Sequence, residues 1–131
     1  MKKLFLLSAL LIFAFGFGQT AEDYFDSGYI KYEAKDNYGA INDFSKAIEL
    51  NPNLIDAYYN RGLAKFITKD YYGAISDFTK IIENSPNFVQ AHKNRGIAKY
   101  YINDFNGACE DAKKARSLGV DTSKLIEATC K

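Results

Sequence analysis

Apolar residues recur at helical spacing in a segment near the middle of the chain. Tyr58, Gly62 and Phe66 are each four residues apart, and no proline occurs between Ile55 and Ser85. This period is typical of one face of an α-helix, and it predicts a first helix from Asp56 to Thr68.

A second apolar stripe follows directly after this helix. Its members lie at helical spacing, which predicts a second helix: Ala74, Ile75, Phe78, Ile81 and Ile82. Asp70 precedes the stripe and can accept a backbone N–H bond as its N-cap. Because Pro86 cannot continue a helix, the second helix should end by about Asn84.

This pair of helices occurs three times. Residues 57–86 align with residues 23–52 and 91–120 at an offset of 34 residues, without an insertion or a deletion. Small residues fall at matching positions in the three copies: Gly28, Gly62 and Gly96, then Ala40, Ala74 and Ala108. A fixed period of this length is typical of a solenoid in which no unit can bury its apolar face alone.

The same pattern places the remaining helices. They are expected at Glu22–Ala34, Tyr38–Leu50, Gln90–Ile102 and Asn106–Leu118. Pro52 ends the first repeat, whereas Gly119 ends the third because glycine tolerates the left-handed conformation at a helix C-terminus. Any of residues 121–123 can then cap a short final helix, Lys124–Cys130, which we expect to cover the end of the array.

The register of the second copy resembles a known repeat family. Tyr58, Gly62, Ala64, Ala74, Phe78 and Pro86 stand as in the tetratricopeptide repeat, a helix–turn–helix unit of 34 residues. The resemblance implies an all-α protein, an α-solenoid with repeats at residues 21–54, 55–88 and 89–122 and a capping helix within residues 123–131. The third repeat departs from the pattern at His92, Ala112 and Val120, as terminal repeats often do.

The repeated glycines have a physical requirement of their own. Each lies inside a predicted helix, where glycine costs about 0.5–1 kcal/mol relative to alanine. Close approach of the paired helix at Ala40, Ala74 and Ala108 explains why a larger side chain is not used. A bulky substitution such as Gly62→Leu should therefore overpack the array.

The first residues form a separate segment. A basic start is followed by an apolar run, Leu4–Phe17, which is shorter than the roughly 20 residues needed to span a bilayer. Gly16 and Gly18 flank Phe17 in the small-x-small pattern, so residues 1–18 are predicted to be a signal peptide cleaved between Gly18 and Gln19, with the repeat domain at residues 19–131. The alternative is an uncleaved N-terminal anchor. The signal predicts a periplasmic or secreted protein of the bacterial envelope, without stable membrane insertion after cleavage.

Charge is balanced in the predicted mature chain. Of 17 basic and 16 acidic side chains, cleavage removes Lys2 and Lys3, which leaves 15 against 16 and a net charge of −1. Such balance gives no electrostatic signal for a nucleic acid or for an anionic membrane as partner.

Charged residues also repeat at fixed positions. Arg61 and Lys65 share one helix face, as Arg95 and Lys99 do, and the second helices supply matching acids at Asp43, Asp77 and Asp111. One interpretation is a set of ion pairs that order neighbouring helices, and the other is an anion site. Nothing in the sequence favours the anion site.

The resemblance further implies a concave surface lined by the first helices of the repeats. The partner-binding positions are then Phe25, Asp26, Tyr29, Tyr59, Asn60, Leu63, Lys93, Asn94 and Ile97. Phe25, Tyr29 and Tyr59 are expected to be exposed there, whereas Tyr32, Phe66 and Tyr100 can belong either to the groove or to the core. One subclass of the family clamps a terminal carboxylate with a lysine and an asparagine, but Phe25 and Tyr29 occupy those positions here, so that activity is not implied.

Two cysteines occur, Cys109 and Cys130, an even number in a chain predicted to be exported. On antiparallel helices their offset from the connecting turn is only about 3 Å, so they can meet if they face each other. We expect a disulfide that holds the final helix on the last repeat. Two buried free thiols or a redox pair are the alternatives, although no C-x-x-C arrangement is present.

No group of residues indicates catalysis or a cofactor. The single histidine, His92, takes a core-facing position, and with two cysteines it provides too few ligands for a closed zinc site. No nucleophile–base pair or phosphate loop is found, so we expect neither an enzyme, a metal site nor a small-molecule cofactor. The sequence predicts an exported scaffold that binds a peptide segment or protein partner in an aromatic groove. The alternative is a structural or assembly subunit that packs through its ends.

Overall fold

The computed structural model describes residues 18–131. The predicted signal peptide lies outside the described residues except for its last residue, Gly18. Its cleavage after Gly18 therefore stays a prediction. Among residues 18–131 no helix is both long and apolar enough to cross a membrane.

Seven α-helices and no β-strand form the described part of the chain. They are α1 (Ala21–Glu33), α2 (Asn37–Leu50), α3 (Ile55–Ile67), α4 (Tyr71–Asn84), α5 (Val89–Tyr101), α6 (Phe105–Ser117) and α7 (Ser123–Thr129). The predicted bounds agree within one residue, and each predicted first helix begins one residue later than the observed one. Each helix packs mainly on its neighbours in the chain, which confirms the predicted α-solenoid.

The two helices of each repeat are joined by the same turn. Its central residue has a positive φ in all three copies: 65° at Lys35, 65° at Lys69 and 63° at Asn103. In the second repeat, the N–H of Lys69 donates to the carbonyl of Phe66 at 3.0 Å and that of Asp70 to the carbonyl of Lys65 at 2.8 Å. This pair of bonds satisfies the last carbonyls of the first helix and reverses the chain.

An aspartate then starts each second helix. Asp36, Asp70 and Asp104 are N-caps whose carboxylates accept from the N–H of the glycine three residues later. At Gly73 a Cβ atom would overlap the Asp70 carboxylate, so a glycine is required for the cap to sit this close. Asp70 is the N-cap that the sequence predicted.

In the core of the first two repeats, a phenylalanine ring of the second helix packs against a glycine of the first helix. Phe44 and Phe78 are fully buried. A Cβ atom at Gly28 would lie 2.9 Å from the Phe44 ring, and one at Gly62 would lie 2.8 Å from Cε1 of Phe78. Both distances are shorter than carbon atoms tolerate, so the missing side chains allow the paired helices to approach. The atoms nearest to these glycines belong to the phenylalanine rings and not, as the sequence suggested, to Ala40 and Ala74.

The third repeat closes its core with a residue from outside the repeat. Ala112 replaces the phenylalanine and leaves room above Gly96, where Cδ2 of Leu125 on α7 lies 3.3 Å from the position of a Cβ atom. The capping helix is held there by the Cys109–Cys130 disulfide, whose Cα atoms are 5.1 Å apart. The Thr122 hydroxyl also donates to the carbonyl of Ala112 at 2.7 Å. The departure at Ala112 is therefore compensated by α7.

His92 has the packing role expected of it. Its side chain is buried, and Nε2 lies 2.7 Å from the carbonyl oxygen of Pro86. Because a carbonyl can only accept, Nε2 carries the proton. The contact ties the start of α5 to the loop that precedes it.

Candidate binding groove

The first helices of the three repeats follow one another along one side of the array. α1 contacts α3, and α5 contacts the capping helix α7. Between α3 and α5, the Asn94 amide donates to the hydroxyl of Tyr59 at 3.3 Å. We refer to the surface formed by α1, α3, α5 and α7 on this side as the groove.

Aromatic side chains dominate the first-repeat end of the groove. Phe25 is half-buried, with its ring centroid 5.7 Å from that of Phe44 and 6.4 Å from that of Tyr29. Tyr29 is 46% exposed, and Asp26 beside it is exposed as well. This end therefore offers a phenol and a carboxylate to a partner, whereas Phe25 belongs largely to the core.

The middle of the groove is more tightly packed than the sequence suggested. Tyr59 is half-buried between Phe78 and Phe88, at centroid distances of 6.2 and 5.5 Å. The Asn60 amide donates to the carbonyl of Asp56 at 2.8 Å, which leaves its oxygen and one N–H for a partner. Tyr59 thus forms a wall of the groove instead of projecting freely from it.

Leu63, Asn94 and Ile97 lie together between α3 and α5. With Phe66 and Phe78 they line a small apolar cavity of about 60 Å³. These residues come from two repeats, 34 positions apart, and are brought together by the packing of α5 beside α3.

A larger pocket closes the third-repeat end of the groove. This terminal pocket has a volume of about 430 Å³ and is lined by Lys93, Ile97, Tyr100, Tyr101, Asp121, Thr122, Ser123, Lys124, Leu125 and Ala128. The sequence pointed to Lys93 and Ile97 but missed the residues from α7 and the loop before it. Leu125 and Ala128 are apolar residues of a predicted helix, but the helical pattern does not show where that helix packs.

Three aromatic residues could belong, on the sequence alone, either to the groove or to the core. Tyr32 and Phe66 are half-buried, and Phe66 packs edge-on against Tyr71 and Tyr101 at 5.3 and 5.5 Å. Burial raises the pKa of Tyr32, and the nearby Glu33 carboxylate adds to the effect. Tyr100 is 39% exposed at the terminal pocket, so it belongs to the groove, whereas Phe66 packs against the core.

The repeated charges form ion pairs inside the array. Asp77 accepts two hydrogen bonds from Arg61, at 2.9 and 2.6 Å, and its carboxylate lies 3.2 Å from Lys65 Nζ. The remaining guanidinium nitrogen of Arg61 donates to the hydroxyl of Ser45 in the preceding repeat at 3.1 Å. The third repeat reproduces this arrangement with Arg95, Lys99, Asp111 and Thr79. The geometry favours ion pairs that order neighbouring helices over an anion site.

The first repeat has a reduced version of this arrangement. Ser27 takes the place of the arginine and donates to Asp43 at 2.6 Å, while Lys31 Nζ lies 2.7 Å from the same carboxylate. Burial raises the pKa of Asp43, but the hydrogen bonds from Lys31 and Ser27 outweigh burial and hold the pKa below its usual range. Among the described residues no helix precedes α1, so none of them supplies an equivalent of Ser45 to an arginine at this position.

Two family models match the chain. One, described as a TPR repeat, covers residues 28–68, and the other, described as a tetratricopeptide repeat, covers residues 55–88. No curated protein matches this sequence.

Solved structures with the same arrangement of helices are numerous. The TPR domain of OM64 from Arabidopsis is 27% identical, with 83% of this chain and 92% of that chain covered and a TM-score of 0.76. The first TPR domain of Spaghetti (RPAP3), solved with the HSP90 peptide SRMEEVD, is 20% identical, with 86% and 89% covered and a TM-score of 0.76. YrrB, described as a TPR protein with an unusual peptide-binding site, is 21% identical with a TM-score of 0.77, and this chain covers 59% of its length and is itself 87% covered. The last two likenesses concern the fold.

Proposed function

We propose that this chain, which belongs to the tetratricopeptide repeat family, binds an extended segment of a protein partner in the groove. The observation that carries the proposal is the continuous series of partly exposed side chains on α1, α3 and α5. Tyr29 offers a ring, Asn60 an amide that can both donate and accept, and Ile97 an apolar contact. This combination suits a peptide, whose backbone needs hydrogen bonds and whose side chains need apolar contacts.

Relatives of the fold support the proposal by their ligands. The RPAP3 domain was solved with a peptide, and the description of YrrB names a peptide-binding site. Because these proteins are only 20% and 21% identical to this chain, they support the same fold but do not indicate the sequence of the partner. Phe25 and Tyr29 occupy positions where one subclass uses a lysine and an asparagine, so the partner here should be recognised by different contacts.

The proposed location is the periplasm or the outside of the cell. The basic and apolar start of the chain, with a small-x-small site ending at Gly18, supports export. The Cys109–Cys130 disulfide agrees with an oxidising compartment, because such bonds persist there and are rare in the cytosol. Cleavage between Gly18 and Gln19 would be checked by the mass and N-terminal sequence of the protein purified from the cell envelope.

The test is partner capture from an envelope extract with two matched variants. Tyr29→Ala/Asn60→Ala removes two side chains from the groove, and Tyr38→Ala/Tyr72→Ala removes two tyrosines that are 74% and 73% exposed at the starts of second helices. Tyr59 is left intact because its ring packs on Phe78 and Phe88. We expect a partner that is retained by the second variant and lost by the first, at equal melting temperature. Equal capture by both would place binding outside the groove.

A second candidate function is assembly through the N-terminal end. Ile30 is 69% exposed on α1, whereas Ala64 and Ala98 at the same repeat position are fully buried. Ala98 belongs to a core cluster that includes Phe78 of the preceding repeat. A second chain, or a subunit of an envelope complex, could cover Ile30 in the same way. Sedimentation equilibrium decides this point. A mass that rises with concentration for the wild type but not for Ile30→Lys would support assembly, and a constant monomer mass would exclude self-association.

A further inference from the structure

The two ends of the groove differ in charge. Asp26 is exposed at the first-repeat end, and Lys93 and Lys124 line the terminal pocket at the other end. Within residues 18–131 none of these three side chains takes part in an ion pair of 4.0 Å or less. Their charges are therefore available to a ligand, unlike those of Arg61 or Arg95.

The one carboxylate at the terminal pocket is already engaged. Asp121 accepts a hydrogen bond from the N–H of Ser123 at 2.9 Å. The pocket is thus lined by two lysines and one aspartate, which leaves an excess of one positive charge. The rim of the pocket favours a negative group on whatever enters it.

The wall of the pocket is apolar and held in place. Ile97 of α5 faces Leu125 and Ala128 of α7, with Tyr100 and Tyr101 beside them. The volume of about 430 Å³ lies within the range of about 300–1,000 Å³ that is usual for ligand pockets. Since the disulfide and the Thr122 hydrogen bond fix α7 before any ligand arrives, binding has little ordering cost to overcome.

We propose that the terminal pocket receives a large apolar side chain of the partner segment, with an acidic side chain next to it on the segment that pairs with Lys93 and Lys124. This inference builds on the proposed function of the groove and adds the chemistry of its ligand. It also gives a direction, because the acidic end of the segment lies at α5 and α7 and its opposite end lies near Asp26. A basic residue at that opposite end would complete the match.

The test uses a displayed library of random peptides as the probe, panned against the protein. Selected peptides should carry an aspartate or glutamate next to a large apolar residue. Their affinity is then measured by fluorescence anisotropy against Ala128→Phe, which fills the pocket from an exposed position, and against Glu127→Phe, its exposed neighbour outside the pocket. We expect Ala128→Phe to weaken binding by about tenfold or more and Glu127→Phe to leave it nearly unchanged.

Charge reversal tests the second half of the proposal. Lys93→Glu/Lys124→Glu should weaken the acidic peptides by about tenfold or more, whereas Lys113→Glu, an exposed lysine outside the pocket, should not. Replacing the acidic residue of the peptide by its amide should produce the same loss on the wild type and little further loss on the reversed variant. A peptide that binds equally well after these changes overturns the inference.

The outcomes separate this inference from the proposed function. Peptides that are lost on Tyr29→Ala/Asn60→Ala but bind Ala128→Phe normally would leave the groove as the binding site and overturn the pocket. Absence of any enriched peptide, or peptides insensitive to both variants, would overturn both. A change of oligomeric mass in Ala128→Phe would show that a second copy of the chain occupies the pocket, which also overturns the proposal.

Discussion

The second and third repeats each bury a glycine at the equivalent position, but the side chain that covers it comes from a different element in each repeat. Gly62 lies under Phe78, a fully buried ring from the second helix of its own repeat, whereas Gly96 lies under Leu125, a half-buried side chain of the capping helix. The second repeat thus closes its own helix pair. In the third repeat Leu125 of α7 covers this glycine, so α7 is a structural part of that repeat.

Because of this difference, a core residue also lines the terminal pocket at the third-repeat end of the groove. Leu125 covers the third-repeat core and also lines the terminal pocket. In the second repeat Phe78 is fully buried and lines only the small cavity between α3 and α5, outside the terminal pocket. Changes that loosen α7 should therefore affect both folding and binding, while changes in the second repeat should act through the fold as a whole.

The largest expected effect is at the tight core of the second repeat. In Gly62→Leu the new side chain would meet the Phe78 ring, because even its Cβ atom would lie 2.8 Å from Cε1. We expect a loss of about 3 kcal/mol or more in the free energy of unfolding, measured by thermal denaturation followed by circular dichroism. Gly96→Ala is the milder comparison, with the nearest atom, Cβ of Asp111, at 3.1 Å. An unchanged melting temperature for Gly62→Leu would contradict this packing.

Loss of the disulfide is the next effect, and it is specific to the third repeat. The bond joins residues 21 apart in sequence, and a closed loop of this size contributes about 3 kcal/mol in the chain-entropy view. Reduction should lower the melting temperature and expose the amides of α7 to hydrogen exchange before those of α3 and α4. The Cys109→Ser/Cys130→Ser variant serves as the control, because reductant should have no effect on it. Uniform exchange along the whole chain would mean that α7 does not open separately.

The sequence was sufficient for the fold because its signal is repeated. Three copies of one period, with prolines and aspartates at helix ends, predicted the bounds of the six repeat helices to within one residue. Gly119, expected to take the left-handed conformation, has φ of 99°. The turn residues Lys35 and Lys69 could not be predicted in the same way, since a lysine with positive φ has no compositional signal.

The candidate site was harder to predict because it depends on contacts between elements. The family resemblance gave the groove positions on the first helices, but not that Tyr59 is held between Phe78 and Phe88. Neither the terminal pocket nor the role of Leu125 follows from a helical pattern. Both depend on where α7 packs, and that is decided by the space left at Ala112 and by the disulfide.

Truncation of Leu125 tests the core of the third repeat directly. Leu125→Ala should cost about 2 kcal/mol, the low end for a leucine because the side chain is only half-buried, whereas Phe78→Ala should cost about 3–5 kcal/mol. Chemical denaturation measures both values. The loss in Leu125→Ala should appear first as faster hydrogen exchange in α5 and α7, while that in Phe78→Ala should affect all helices. Equal losses would indicate that the two residues close their repeats in the same way.

The ion pair of the first repeat can be tested through the pH dependence of stability. Because the pKa of Asp43 is lowered in the folded state, its contribution to stability is present above the unfolded-state pKa of about 3.9 and is lost as the pH falls through the lowered value. Lys31 is partly exposed, so the contribution should be only about 1 kcal/mol. Asp43→Asn should therefore destabilise at neutral pH and flatten the acid part of the stability profile. A profile parallel to that of the wild type would contradict this assignment.

The smallest effect concerns the turns, where the repeats do not differ in backbone. Lys69 has φ of 65° and Asn103 has φ of 63°, and a left-handed lysine carries about 1–2 kcal/mol of strain that glycine relieves at an entropic cost of about 0.5–1 kcal/mol. Lys69→Gly and Lys35→Gly should each stabilise by about 0.5 kcal/mol, and Asn103→Gly by less, since asparagine tolerates this conformation. Chemical denaturation of the three variants measures the gains. Similar gains at Lys35 and Lys69 would show that the turn is equivalent in an end repeat and an inner one, which confines the difference between repeats to their cores and ion pairs.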